Sequence, residues 1–265
     1  EKKYISLDSA VEFLKREKEL LPNSIELDIE YQSHEAAKYL NSDPNKALLF
    51  YKEIVKYAGV SKKYNKSIGH AHVDIMNCYL LLEKWGDYEG QYSFVLEYLK
   101  TNALYSEEGR LYNLDGLYYW LNNDLLLSED SFKNSQFYFG LVHNQMNAII
   151  SRINYIGLLI KSKKIEAATI EFSVSCELIL DIFGALYSQI EVTKAYRKHR
   201  EYIALLVLIK YGYAINQKET ALQLMKRVPI TALPKHVQQF NDNIYPEEVF
   251  SNTCILHGDI VTLTR

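Results

Sequence analysis

The sequence is poor in the residues that staple or punctuate small folds: among 265 residues there are only 3 cysteines, 5 prolines and 11 glycines. Cys78, Cys176 and Cys254 lie far apart, which fits neither a paired disulfide framework nor the close CxxC spacing of a metal site, so they read as reduced thiols of a cytoplasmic protein. Long apolar runs are missing too. The longest, Tyr202 to Ile215, is interrupted by Lys210 and is too short to span a bilayer, and the opening Glu1-Lys2-Lys3-Tyr4-Ile5-Ser6 has no signal-peptide core. The expectation is a protein that is neither exported nor embedded in a membrane. No excess of one charge is present either: 30 Lys and Arg stand against 33 Asp and Glu, a net charge of −3, so nothing global pulls the chain toward nucleic acid or an anionic surface. GxxxxGK(S/T), GxSxG and HExxH are all absent, and the glycines are scattered instead of clustered around a phosphate. Neither catalysis nor a cofactor is expected.

What is abundant is helix-forming and apolar. Leu, Ile, Lys, Glu and Tyr dominate, hydrophobic residues make up 48% of the chain, and the 22 tyrosines suit helix seams with a polar edge. A first helix follows Ser6, where Leu7, Ala10, Val11 and Leu14 keep helical spacing and Ser6 or Asp8 can cap; it ends near Leu21-Pro22-Asn23. A second runs from Ser24 to Leu40. After the break Asn41-Ser42-Asp43, Pro44 occupies the first-turn position of a third helix and Asp43 its cap, so the two helices form an antiparallel hairpin.

That hairpin carries a repeat signature. Ala36-Ala37-Lys38-Tyr39-Leu40, a polar break, and Pro44-Asn45-Lys46-Ala47-Leu48-Leu49-Phe50-Tyr51 resemble the tetratricopeptide (TPR) pattern, with Ala47 as the point of close helix approach. Similar order recurs at Ala71 to Leu99 around the break 83–87, at Gly109 to Phe137 around Asn122-Asn123-Asp124, at Ile149 to Phe172 around Ser162-Lys163-Lys164, and at Tyr202 to Met225 around Asn216-Gln217. Residues 176–198 supply further helix. Ala47, Tyr88, Phe132, Ala167 and Ala221 align as equivalent positions roughly 35 to 55 residues apart, looser than the TPR period of about 34. The expected fold is all-α, a right-handed superhelix of antiparallel TPR-like hairpins: an N-terminal helix over residues 1–23, the array over 24–228, and an irregular tail over 229–265. In that tail Cys254-Ile255-Leu256 and Ile260-Val261-Thr262-Leu263 read as two β-prone runs around a turn.

Arrays of this kind line a concave surface with their first, or A, helices, and amide side chains there can both donate to and accept from a ligand backbone. Asn77, Asn113 and Asn154 fall on A helices; Asn147, Ser151 and Asn154 share an i, i+4, i+7 stripe; Arg110 and Arg152 lie close by and suit a peptide carboxylate. These residues are the candidate ligand-binding set, and a solvent-facing or inter-helix role is the alternative for each. His70-Ala71-His72-Val73-Asp74 leaves only His70 and Asp74 on one helix face, too few for a metal site. Lys194-Ala195-Tyr196-Arg197-Lys198-His199-Arg200 is the one basic cluster with an interleaved aromatic; nucleic acid is not expected through it alone.

Leu82-Glu83-Lys84-Trp85-Gly86-Asp87-Tyr88-Glu89 is similar to a W-G-x-Y-E segment of Rgg-like regulators, and the low-glycine, Tyr/Asn/Lys-rich array resembles the effector domains of bacterial peptide-pheromone receptors of the Rgg, Rap, PlcR, NprR and AimR type. The resemblance implies a short signalling peptide on the concave face, a homodimer and a role in quorum sensing or transcription regulation. It covers the repeats alone, because no helix-turn-helix is readable where Ser24 to Gly59 already forms a hairpin. The competing expectation is a constitutive protein-interaction scaffold or sensor module of a larger assembly.

Overall fold

The computed structural model describes residues 7–187, 197–225, 253–256 and 259–262. Along them run α1 (Leu7–Leu20), α2 (Ile25–Tyr39), α3 (Pro44–Val55), α4 (Asn65–Leu81), α5 (Trp85–Thr101), α6 (Tyr105–Leu121), α7 (Leu125–Leu141), α8 (Gln145–Lys161), α9 (Ile165–Tyr187), α10 (Arg197–Ala214) and α11 (Lys218–Met225), then β1 (Thr253–Leu256) and β2 (Asp259–Thr262). The fold is all-α, built of TPR-like antiparallel hairpins.

The helices are more regular than their sequences. Each of α4 to α8 is 17 residues long and is followed by a three-residue turn, so helix starts recur every 20 residues, at 65, 85, 105, 125, 145 and 165. The hairpin repeat is therefore 40 residues. The device that sets it is one turn used six times, at Glu83, Ala103, Asn123, His143, Lys163 and Asn216, all left-handed with φ between 50° and 62°. In each, the N–H of the left-handed residue bonds three residues back, and the next N–H bonds five residues back. At Asn123, for example, the bonds are Asn123 N–H to Trp120 O (3.1 Å) and Asp124 N–H to Tyr119 O (2.9 Å). This is the Schellman arrangement, which satisfies carbonyls that a helix end leaves open. Glycine is its usual occupant, and none of the six positions has one, so the turns leave little mark in the sequence.

The turn also starts the next helix. Asp124 and Asn144 accept from the backbone N–H of Leu127 and Asn147 at 3.3 Å each, and Asp43 accepts from Lys46 N–H at 3.1 Å ahead of Pro44, as the break at 41–43 predicts. Helix α5 begins at Trp85, so the break expected over 83–87 is the shorter turn at Glu83.

With the turns placed, the equivalent positions can be read off directly. The fourth residue of each second, or B, helix is Ala47, Tyr88, Ser128, Ala168 and Ala221, all buried. Ser128 replaces Phe132 and Ala168 replaces Ala167 in the sequence alignment, and the first four now stand 40 or 41 residues apart. Phe132 belongs one turn later, in a column with Tyr51, Tyr92 and Phe172. Small fourth residues let the paired helices close up: Ser128 Oγ donates to Gly116 O at 2.7 Å, and a Cβ on Gly116 would lie 2.7 Å from the Phe132 ring.

The chain divides into two compact units, Glu1–Leu114 and Asp115–Arg265. In the first, α1 packs on α2, α2 on α3, α3 on α4 and α4 on α5. Val11, Leu14, Ile29, Ile54, Ile68 and Leu99 are among its core residues. In the second, α7 packs on α8, α8 on α9, and α10 on α8, α9 and α11, around Trp120, Phe132, Ile153, Phe172 and Tyr211. The two β-prone runs of the tail pair as an antiparallel hairpin, with Thr253 opposite Thr262 and Leu256 opposite Asp259, and β1 lies against α8 and α10. The segment 226–252 and residues 188–196, with part of the further helix expected over 176–198 and Lys194-Ala195-Tyr196 of the basic cluster, lie outside the described residues, as do Ser6 and the side chains of Arg197, Lys198, His199 and Arg200.

Candidate binding face of the A helices

In the first unit the A-helix face is a charged seam between α4 and α6. His70, Asp74 and Asn77 share one stripe of α4 at i, i+4 and i+7, and Glu107 and Arg110 face them from α6. The Arg110 guanidinium bonds to Asp74 and, at 2.6 Å, to Glu107, while His70 lies 3.3 Å from both carboxylates. Asp74 and Glu107 are nearly enclosed, at 3% and 7% side-chain exposure, whereas His70 is 55% exposed and forms the rim. The Tyr51 hydroxyl adds a hydrogen bond to Asp74. Burial alone would raise the Glu107 carboxyl; the Arg110 charge and His70 overcome it and hold it at about 2. The guanidinium stays charged, held so by the same two carboxylates against its own burial.

The sequence predicts that Arg110 meets a peptide carboxylate; in the structure two carboxylates of its own chain bond to it. Asn113 is half-buried and engaged by a neighbour. Asn77 is fully buried, and neither its Oδ1 nor its Nδ2 has a hydrogen-bond partner among the described residues. An enclosed amide with unmet hydrogen bonds costs about 1 to 3 kcal/mol. His72, on the other side of α4, packs against Phe94 and Tyr98, and burial lowers its pKa to about 4.

The second unit treats its candidates differently. Asn154 is fully buried and engaged, Asn147 is half-buried and engaged, and Ser151 between them is fully buried, donating to Phe132 O at 3.3 Å. The stripe at 147, 151 and 154 is thus largely interior, because a helix inside a two-layer array has neighbours on three sides. Arg152 pairs with Glu171 of α9. Nearby, Glu129 gathers Lys133 (2.7 Å), Lys164 (2.8 Å) and the Tyr155 hydroxyl (2.9 Å).

Asp74 and Glu107 are partners of Arg110 that the candidate ligand-binding set does not include. Their signal is present as His-x-x-x-Asp and Glu-x-x-Arg spacings one hairpin apart. Among the described residues no three His, Cys, Asp or Glu side chains form a metal-ion group, and no helix is long and apolar enough to cross a membrane. Cys78 and Cys176 are buried free thiols whose pKa burial pushes up to about 12. Within the W-G-x-Y-E segment, Tyr88 is buried while Gly86 has open space where a Cβ would sit, so its glycine is not needed for packing.

No family model and no curated protein matches the chain. Solved structures do, among them the following two. BtubC (BKLC) from P. vanneervenii is similar over 95% of both chains, with a TM-score of 0.59 and 14% identity. A Podosopora anserina protein described as a kinesin light chain with nearly identical TPR-like repeats is similar over 81% of this chain and 97% of its own, with a TM-score of 0.45 and 10% identity. At such identity the first likeness concerns the fold alone, a helical-repeat array.

Proposed function

We propose that this chain is a non-enzymatic, peptide-binding regulatory protein of the cytoplasm, and that the α4–α6 seam of its first unit receives an extended peptide. The observation that supports the reading is Asn77: a fully enclosed amide with both hydrogen-bonding atoms unmet, on the stripe whose outer end is the half-exposed His70. A peptide backbone offers the donor and acceptor such an amide lacks. Entry requires α4 and α6 to part, which exchanges the Arg110 ion pairs for ligand contacts and shifts the hairpin, so binding and conformational change are one event. Asn113 lies beside the seam; Asn147, Arg152 and Asn154 serve the corresponding face of the second unit. In this reading the chain is a receptor of the pheromone-binding type that it resembles, with a homodimer and a regulatory output.

The test is a thermal-shift screen of short peptides from the source genome. One peptide is expected to raise the melting temperature by several degrees, as binding to the native state must. Asn77→Leu is expected to raise the basal melting temperature, by removing the unmet amide, and to abolish the peptide response. Absence of any response across the library overturns the proposal. A stoichiometric protein partner recovered by pull-down, indifferent to Asn77→Leu and Asn113→Ala, would instead assign the constitutive scaffold.

A further inference from the structure

The outer face of α7 carries a short palindrome. Leu126, Asp130, Lys133 and Phe137 stand at i, i+4, i+7 and i+11, within an arc of about 60° at about 100° per residue. All four are exposed, Leu126 and Phe137 at 74% and 60%. Read in chain order the stripe is apolar, acid, base, apolar; read backwards it is apolar, base, acid, apolar. Two copies laid antiparallel about a two-fold axis midway between Ser131 and Phe132 therefore set Leu126 on the partner copy's apolar ring and Asp130 opposite the partner copy's lysine, twice over. An isologous contact demands this self-complementarity. A parallel pairing would oppose acid to acid and base to base.

Asp130 is open to pairing, and Lys133 can be drawn outward from its present contacts. Asp130 has no ion-pair or hydrogen-bond partner among the described residues. Lys133 bonds to Glu129 and lies over the Tyr155 ring, 5.8 Å from its centre, and Glu129 keeps Lys164 and the Tyr155 hydroxyl if Lys133 turns outward. Leu127 and Leu141 flank the stripe, exposed, and extend its apolar area. Gly140 is exposed at its end, with open space where a Cβ would stand.

We infer that the outer face of α7 is a homodimer interface, in which two copies of this chain pair α7 against α7 antiparallel through the stripe 126, 130, 133 and 137. The contact is small beside the roughly 1,600 Å² of a standard interface, so association depends on protein concentration. It lies on a different helix from the α4–α6 seam, and peptide binding can fail without touching it.

Sedimentation velocity of the whole chain over a wide concentration series measures the dimer. Lys133→Asp places acid opposite acid at both symmetry-related pairs and is expected to weaken the dimer at least about tenfold. The double exchange Asp130→Lys with Lys133→Asp rebuilds the palindrome with its signs reversed and is expected to restore affinity to within about threefold. As an independent readout, Leu126→Cys and Phe137→Cys proteins mixed under mild oxidation should cross-link to each other, and neither should cross-link alone above the wild-type background. A monomer throughout the series, a dimer indifferent to Lys133→Asp, failure of the double exchange to restore it, or cross-linking of Leu126→Cys by itself would each overturn the inference.

Discussion

The two units of the chain bury their polar groups in different currencies. In the first, His72, Asp74, Asn77, Glu107 and Glu108 are buried; in the second, five of the buried polar residues are serines, at 128, 131, 135, 151 and 175. A serine costs little to enclose because its single hydroxyl finds a carbonyl or carboxylate nearby. Ser128 reaches Gly116 O, Ser131 reaches Asp115 at 2.9 Å, Ser151 reaches Phe132 O and Ser175 reaches Glu171 O at 2.8 Å. The first three join neighbouring helices, the fourth lies within α9, and none of the hydroxyls titrates near neutral pH. Buried ionised groups are costlier, because each must keep its counter-charge, and their stability depends on pH. The first unit thus buries an ion-paired cluster whose packing responds to protons; in the second, where Asp115 and Lys210 are also buried, serine hydroxyls predominate.

The largest test of that contrast is Arg110→Met. Asp74 and Glu107 would be left buried without their counter-charge, at an expected cost of about 3 to 5 kcal/mol in urea denaturation. The two tryptophans report the units separately: Trp85 lies in the first and the buried Trp120 in the second. In single-tryptophan variants the loss should appear at Trp85.

Acid should separate the units next. The His72 imidazole has its pKa lowered to about 4 in the fold, against about 6.5 in the unfolded chain. Between those values the unfolded state binds the proton and the folded state does not. Stability therefore falls as pH drops from 6.5 to 4, by on the order of 2 to 3 kcal/mol. Glu107, lowered to about 2, adds a further loss below pH 4.5. The Trp85 transition should move over pH 6.5 to 4, and His72→Phe should flatten that window; an unchanged profile would refute the assignment.

Smaller effects should follow from the hydroxyls and the turns. Ser151→Ala removes one buried hydrogen bond to Phe132 O and should cost about 1 kcal/mol at any pH from 5 to 8, read at Trp120. Ala103→Gly in the first unit and Lys163→Gly in the second each relieve a left-handed residue with φ of 50° and 58°. Each should stabilise by no more than about 1 kcal/mol, and by similar amounts, because the turn is the same device in both units.

The hairpins were legible because their causes are local. Asp43-Pro44 caps and opens α3, Ala47 and Ala221 mark close helix approach, and the β-prone runs at Cys254 and Ile260 do form paired strands. The 40-residue period was hidden because the left-handed turn residues are Glu, Ala, Asn, His, Lys and Asn, none of them the glycine that would announce the turn. Phe132 therefore stands out in the sequence where Ser128 holds the equivalent position: an aromatic is conspicuous, and a small buried serine is not.

The candidate site shows the same limit. Helical spacing placed Asn147, Ser151 and Asn154 on one stripe, and His70 with Asp74 on another, which is a property of any single helix. Whether a stripe faces water, a neighbouring helix or an ion partner depends on residues from other helices, some 20 to 40 positions away. The chain by itself determined helix, cap and turn, since these depend on neighbours within about five residues. Only the tertiary structure decided that Arg110 serves Asp74 and Glu107, that Asn77 and Asn154 lie inside, and that Leu126, Asp130, Lys133 and Phe137 are left facing out, because burial and charge pairing are set by what packs against a helix.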